Sequence, residues 1–258
     1  MGTITIRMGP SRLALFVVFA LLVLGTGCRN GAVEGNPPEA VGQPPAAGSW
    51  DIAEEASPAA GTSFVAEATV PRVAIFKEPA SGSPKRSLPN PLDGAPLVFL
   101  VERDQGEWLL VNLPVRPNGS KGWIRKSDVV LTKHNFRITV DLSDHRLTVR
   151  QGTKVILDEP TGIGTEDTPT PGGVYYTKRL VQPPNPKGDF GPFIYELSGF
   201  SNVITDFLGG DGVIGIHGTN RPELLGKDVS HGCIRISNSG ITKLARILPL
   251  GVPVDIRP

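Results

Sequence analysis

Beyond its N-terminal leader, a single stretch of this chain carries helical periodicity, and that fact sets the fold class. In SNSGITKLARILPLG (residues 237–251), Ile241, Leu244, Ala245 and Leu248 fall at i, i+3, i+4 and i+7. A polar cap candidate (Ser237, Asn238 or Ser239) precedes them, and Pro249 and Gly251 end the run. Elsewhere apolar residues come in short, often alternating runs separated by turn residues. The 31 glycines and 25 prolines favour turns and short strands over long helices. A mainly β protein with one short helix is expected.

Residues 1–28 have the pattern of an export signal. Arg7 and Arg12 give a basic start, and LALFVVFALLVL (residues 13–24) is an uncharged core shorter than the roughly 20 residues needed to span a bilayer. A retained membrane anchor is the competing reading. Cys28 stands where a bacterial lipoprotein signal puts its lipidated cysteine, after small residues at 26 and 27, although Gly25 occupies the place usually held by a large aliphatic residue. Lipidation at Cys28 is expected, giving an exported protein anchored at the outer face of the cytoplasmic membrane or in the periplasm or cell wall. Several acyl chains would hold it firmly where one would bind only marginally. Residues 29–64, rich in Pro, Ala, Gly and Glu, form a disordered tether with a root-mean-square span of roughly 30–35 Å.

From 65 to 133 the texture is β: ATVPRVAIF, APLVFLVER, EWLLVNLP and KGWIRKSDVVL, separated by PASGSPKRSLPNP, DQG and VRPNGS. GEWLLVNL followed by GSKGWIRKSDV resembles a bacterial SH3-like domain. That resemblance implies a small β-barrel able to bind wall polymer, while Trp108 and Trp123 can equally be core aromatics. Residues 134–258 make a second body. FRITVDL and RLTVRQ read as a hairpin around Ser143, Asp144 and His145, with His145 an exposed turn residue. KVILDEP adds a third strand, and VQPPNPKGDFGPF is too irregular for regular structure.

The chemistry-bearing residues gather in VIGIHGTNRPELLGKDVSHGCIRISN (residues 213–238). As a strand, VIGIHG places Val213, Gly215 and His217 on one face and Ile214 and Ile216 on the other. His217 then projects away from the isoleucines, and a buried structural histidine fits the same pattern. In SHGCIRISN, Gly232 lets the chain turn sharply beside Cys233, and a neighbouring imidazolium or guanidinium would lower the thiol pKa. Three readings stay open on spacing alone: an acyl-transfer nucleophile, a zinc site with Asp211 or Asp228 as loose candidates for a further ligand, and an inert thiol. A net charge of +1 carries no nucleic-acid footprint, and a monomer is expected.

IGIHGTN…SHGCIRISN closely resembles the catalytic motif of the L,D-transpeptidase (YkuD-type) family, with TPTPGGVY similar to its upstream loop and GPFIYELSGFS to its central segment. The resemblance spans residues 136 to 257 and implies a mostly β L,D-transpeptidase catalytic domain, so that the two resemblances together give a small SH3-like β-barrel followed by that domain. It implies Cys233 as nucleophile, His217 as proton donor and acceptor, and the Gly218 carbonyl as the group orienting the His217 ring. The amides of His231, Gly232 and Cys233 would hold the oxyanion, and Arg235, Tyr195 and Ser230 would meet substrate. No cofactor or metal is implied. The partner is a peptidoglycan stem peptide: a thiolate attack expels D-alanine, and an amine on a neighbouring stem resolves the thioester into a 3→3 cross-link. Water in place of that amine gives a carboxypeptidase, and a non-catalytic wall-binding lipoprotein is the reading from another class.

Overall fold

Pro71, which lacks an N–H to give a ladder, splits the first apolar run of the folded region into two strands. The computed structural model describes residues 61–206 and 210–258. Among the described residues seven strands precede residue 135: β1 (Ser63–Ala68), β2 (Arg72–Ile75), β3 (Arg86–Pro89), β4 (Val98–Gln105), β5 (Trp108–Asn112), β6 (Lys121–Arg125) and β7 (Val129–His134). Five of them form an antiparallel sheet in the order β6-β5-β4-β1-β7, and β2 and β3 form a separate hairpin. A bridge between Phe76 and Trp123 joins the hairpin to the sheet. Alternate residues point inward, so Ala66, Val73, Phe99, Leu109, Val111 and Ile124 share one core. Trp123 is only 8% exposed and Trp108 is half-buried, edge-on to Phe76 at 5.0 Å. Trp123 is therefore a core aromatic.

The remaining strands are β8 (Phe136–Asp141), β9 (Arg146–Gln151), β10 (Lys154–Pro160), β11 (Ile163–Gly164), β12 (Gly173–Val181), β13 (Ile194–Phe200), β14 (Val213–His217), β15 (Asp228–Ser230), β16 (Ile234–Arg235) and β17 (Pro253–Arg257). Eight of these form one sheet in the order β10-β9-β8-β17-β12-β13-β14-β16. The hairpin of β8 and β9 and its third strand stand where the alternation puts them. The C-terminal strand β17 inserts parallel to β8 and antiparallel to β12, closing the centre of the sheet. Helix α1 (Asn238–Ile247) starts at Ser237, whose hydroxyl accepts the Gly240 N–H, and it buries Ile241 and Leu244 with Leu248 just beyond its end. Each of those side chains contributes about 2 kcal/mol on burial.

The two sheets share core. Val65, Val98 and Leu100 of the first pack in the same cluster as the residues under α1, and the Tyr176 hydroxyl donates to the Val98 carbonyl at 3.0 Å. The change of body expected at 133/134 is thus a change of sheet, with Asn135 between β7 and β8. A tether was expected to run to residue 64, but Ser63 and Phe64 are already strand and pair with His134 and Lys133. The leader, Cys28 and residues 29–60 lie outside the described residues. Among the described residues no helix is long and apolar enough to cross a membrane.

Candidate active site

Strand alternation delivers His217 to the site. In β14, Ile214 and Ile216 go into the core, as do Ile234 and Ile236 from the neighbouring segment. β14 and β16 run parallel with Ile216 opposite Ile234 and His217 opposite Arg235, so one residue back Cys233 comes level with Gly215. Side chains opposite one another share a face of the sheet. His217 and Arg235 therefore stand on one side, and Cys233 comes onto it over the gap that Gly215 leaves. A Cβ on Gly215 would lie 3.0 Å from the Tyr195 carbonyl, so the glycine is a packing requirement as well.

The His217 ring is fixed from several directions. Nδ1 lies 2.6 Å from the Gly218 carbonyl, an acceptor only, so Nδ1 carries the proton and Nε2 keeps its lone pair. Phe190 meets the ring edge-on at 5.1 Å. Only 2% of the residue is exposed, and burial lowers its pKa to about 4, with Arg235 adding to this and the Gly218 carbonyl and Asp189 opposing it. The imidazole is neutral at pH 7. Gly218 is held in turn: the Asn238 side-chain oxygen accepts from the Thr219 N–H and fills the space a Cβ on Gly218 or Gly191 would need. Asn238 thus buttresses the turn after His217, and the cap role belongs to Ser237.

The cysteine loop is braced by hydroxyls. Ser230 Oγ donates to the Cys233 carbonyl at 2.5 Å and accepts the Gly232 N–H at 3.1 Å. The Thr170 hydroxyl, from the TPTPGG loop, donates to the Gly232 carbonyl at 3.0 Å, and Thr168 donates to the Ser230 carbonyl. Gly232 has φ +110°, open to glycine and strained for other residues. Burial pushes the Cys233 thiol up, outweighing the Gly215 backbone and the Arg235 guanidinium, which pull it down. The lowering expected from flanking cations is present and is outweighed.

A cavity of about 240 Å³ joins these groups, lined by Cys233, His217, Arg235, Arg221, Asp189 and Phe190 among others. Arg235 is clamped by its backbone to Gly162, while its Nε is shielded from solvent without a hydrogen-bond partner. Burial, then the charge of Arg221, lowers its pKa. His231 is exposed at the same cavity. Several sequence expectations are corrected. Tyr195 is no cleft wall: it is 0% exposed, and its hydroxyl donates to the Leu248 carbonyl at 2.9 Å under α1. Ser230 reaches the cavity, but its hydroxyl is spent on the loop. The Gly232 N–H, expected in the oxyanion site, is already committed to Ser230. His145, expected to be an exposed turn residue, is half-buried and bonds Asp228 at 2.8 Å. Among the described residues no group of three or more His, Cys, Asp or Glu converges as a metal site. Sequence reading missed Asp189, Phe190 and Arg221. The first two sit in the irregular GDFGPF turn, where an aromatic flanked by glycines was the available signal.

Residues 135–256 match the family model described as the L,D-transpeptidase catalytic domain, YkuD. The YkuD protein of Bacillus licheniformis is 35% identical over 48% of this chain and 66% of its own length. The YkuD protein of Bacillus subtilis is 35% identical over 47% and 65%. The chain thus spans just under two thirds of each of these relatives. A crystal structure of a mutant L,D-transpeptidase from Enterococcus faecium is 25% identical over 47% of this chain and 49% of that one, with a TM-score of 0.37. Residues 135–256 are thus similar to the L,D-transpeptidase catalytic domains of the YkuD family.

Proposed function

We propose that the protein is a cysteine-dependent L,D-transpeptidase acting on peptidoglycan tetrapeptide stems. The observation that carries this is one cavity holding a thiol beside an imidazole whose Nδ1 is tied to a carbonyl, so that Nε2 remains as base. At neutral pH the pair is thiol and imidazole. As Sγ attacks the carbonyl of the third stem residue, Nε2 takes the thiol proton, acting as general base. The imidazolium then protonates the amine of the departing D-alanine, leaving a thioester on Cys233. An amine from a second stem attacks, His217 takes its proton, and the C–S bond breaks to give a 3→3 cross-link and the free thiol. With the Gly232 amide committed to Ser230, oxyanion stabilisation falls to the backbone amides of His231 and Cys233. Arg235, with its unpartnered Nε, attracts a substrate carboxylate.

The chain is exported and held at the membrane through a lipidated Cys28, with residues 29–60 as spacer and the first sheet, SH3-like, as a wall-facing module. It works as a monomer. Incubating the full chain with tetrapeptide-stem muropeptides and following mass tests the reaction. Loss of D-alanine with dimer formation is expected, and both cease in Cys233→Ala. Loss of D-alanine without dimers means hydrolysis, and retention of D-alanine by the active-site-intact protein would sink the enzymatic reading.

A further inference from the structure

The loop between β5 and β6 leaves the first sheet and grips backbone just after β13 and just before β14. Arg116 Nη1 donates to the Ser201 carbonyl at 2.9 Å, and its Nη2 donates to the carbonyls of Asp211 at 2.8 Å and Ile204 at 3.2 Å. Its guanidinium also lies 5.0 Å from the Phe200 ring centre. Asn118 takes both backbone groups of Phe200: Nδ2 donates to the carbonyl at 2.7 Å, and Oδ1 accepts the N–H at 2.9 Å. A neighbouring strand normally supplies that two-point pattern; at the end of β13 one side-chain amide takes its place.

The gripped backbone is a wall of the Cys233 cavity. Ser201, Ile204, Gly212 and Val213 all line it. The Ser201 hydroxyl accepts the N–H groups of Val203 and Ile204, and its own N–H donates to the Gly212 carbonyl. Gly212 has φ +67°, and a Cβ there would run into the Ile204 carbonyl and stand 3.3 Å from Arg116 Nη2. The wall is thus built around the guanidinium. The guanidinium holds five N–H donors in a rigid planar fork spread over two terminal nitrogens, a geometry that a compact, rotating ammonium does not reproduce. The reacting groups do not depend on these bonds: His217 is fixed by Gly218 and by β13 and β16, and Cys233 by Ser230 and Thr170.

We infer that Arg116 and Asn118 are positioning residues for substrate: the first sheet shapes the groove through this wall, which holds the parts of the stem peptide remote from the scissile bond. The inference rests on the Cys233 cavity being the substrate site. It differs from a purely bracing role, in which loss of these residues lowers stability and leaves the groove's selectivity intact.

The test uses Arg116→Ala and Asn118→Asp in the full chain. For D-alanine release from tetrapeptide-stem muropeptides, KM rises about tenfold while kcat stays within about twofold, because binding common to ground and transition states is what is lost. Arg116→Lys recovers part of the loss. In parallel, alkylation of Cys233 by iodoacetamide and by a bulky fluorescein maleimide is followed by the mass of the Cys233 peptide. The ratio of bulky to small reagent rates climbs as the wall loosens, without substrate present. Should Arg116→Ala fail to fold, Asn118→Asp and Arg116→Lys carry the same readouts. Lower thermal stability with KM and the alkylation ratio unchanged overturns the inference. A changed ratio in a protein whose parent releases no D-alanine supports the positioning role while removing the reaction assigned to the groove.

Discussion

Acidification of the His217–Cys233 pair gives the sharpest test of the site's chemistry. Burial holds the His217 pKa at about 4 instead of 6.5. Protonating it in the folded protein therefore costs about 3 kcal/mol more than in the open chain. At pH 5 an imidazole with pKa about 4 is about 90% neutral, whereas one at the usual value would be about 3% neutral. The raised Cys233 thiol carries no thiolate in the same range. Single-turnover D-alanine release should therefore be nearly flat from pH 7.5 to 5 and fall by half near pH 4. Thiolate absorbance at 240 nm, taken as the difference from Cys233→Ser, should be absent at pH 7 and emerge only under alkaline conditions. A roughly thirtyfold loss of rate between pH 7.5 and 5 would mean an ordinary exposed histidine. A thiolate signal at pH 5 to 7 would mean a preformed ion pair, and the neutral general-base mechanism would be wrong.

The same physics reaches stability. His134 is also lowered to about 4, burial outweighing a hydrogen bond to the Gly251 backbone that raises it. A depressed histidine pKa leaves the unfolded chain binding more protons between about pH 6.5 and 4, so stability is full above that window and falls by up to about 3 kcal/mol per histidine on acidification through it. Urea midpoints against pH should show this, with a shallower slope in His134→Leu. Gly218→Ala drives its Cβ into Asn238 and Pro192 and shifts the carbonyl that orients His217; about a hundredfold loss of acylation is expected with the fold retained by circular dichroism. Tyr195→Phe strands the Leu248 carbonyl and costs about 1–2 kcal/mol in chemical denaturation while leaving turnover near that of the parent.

Much of the sheet order's raw material was legible because strand periodicity is local. FRITVDL and RLTVRQ, VIGIHG and the single helix all came from spacing of two or of three and four, and each element stands there. What was not legible is long-range. Nothing in the sequence says that β17 slips between β8 and β12, or that Arg116 reaches carbonyls 85 to 95 positions away. Tyr195 illustrates the same limit at the site. The resemblance of its segment to the family's central segment put it against substrate, but alternation along β13 turns it under α1, and the choice of face depends on which side the helix packs. The Cys233 shift runs opposite to the lowering expected, for an equally physical reason: counting cationic neighbours ignores desolvation, and at this thiol desolvation is larger.

The glycines of the motif explain why so short a stretch was so informative. Gly215 leaves no room for a side chain against Tyr195, Gly218 none against Asn238, and Gly232 takes a φ of +110°. Each is demanded by the backbone, yet each also clears space beside the thiol or aims a backbone group at the imidazole. A stretch in which packing and chemistry ask for the same residue at the same position tolerates almost no substitution, so its pattern is specific. Arg221 is under no such double demand: it is exposed at the rim of the cavity it lines. A residue that the packing does not constrain leaves no fixed pattern in the sequence, and for that reason it lies outside what a motif can reveal.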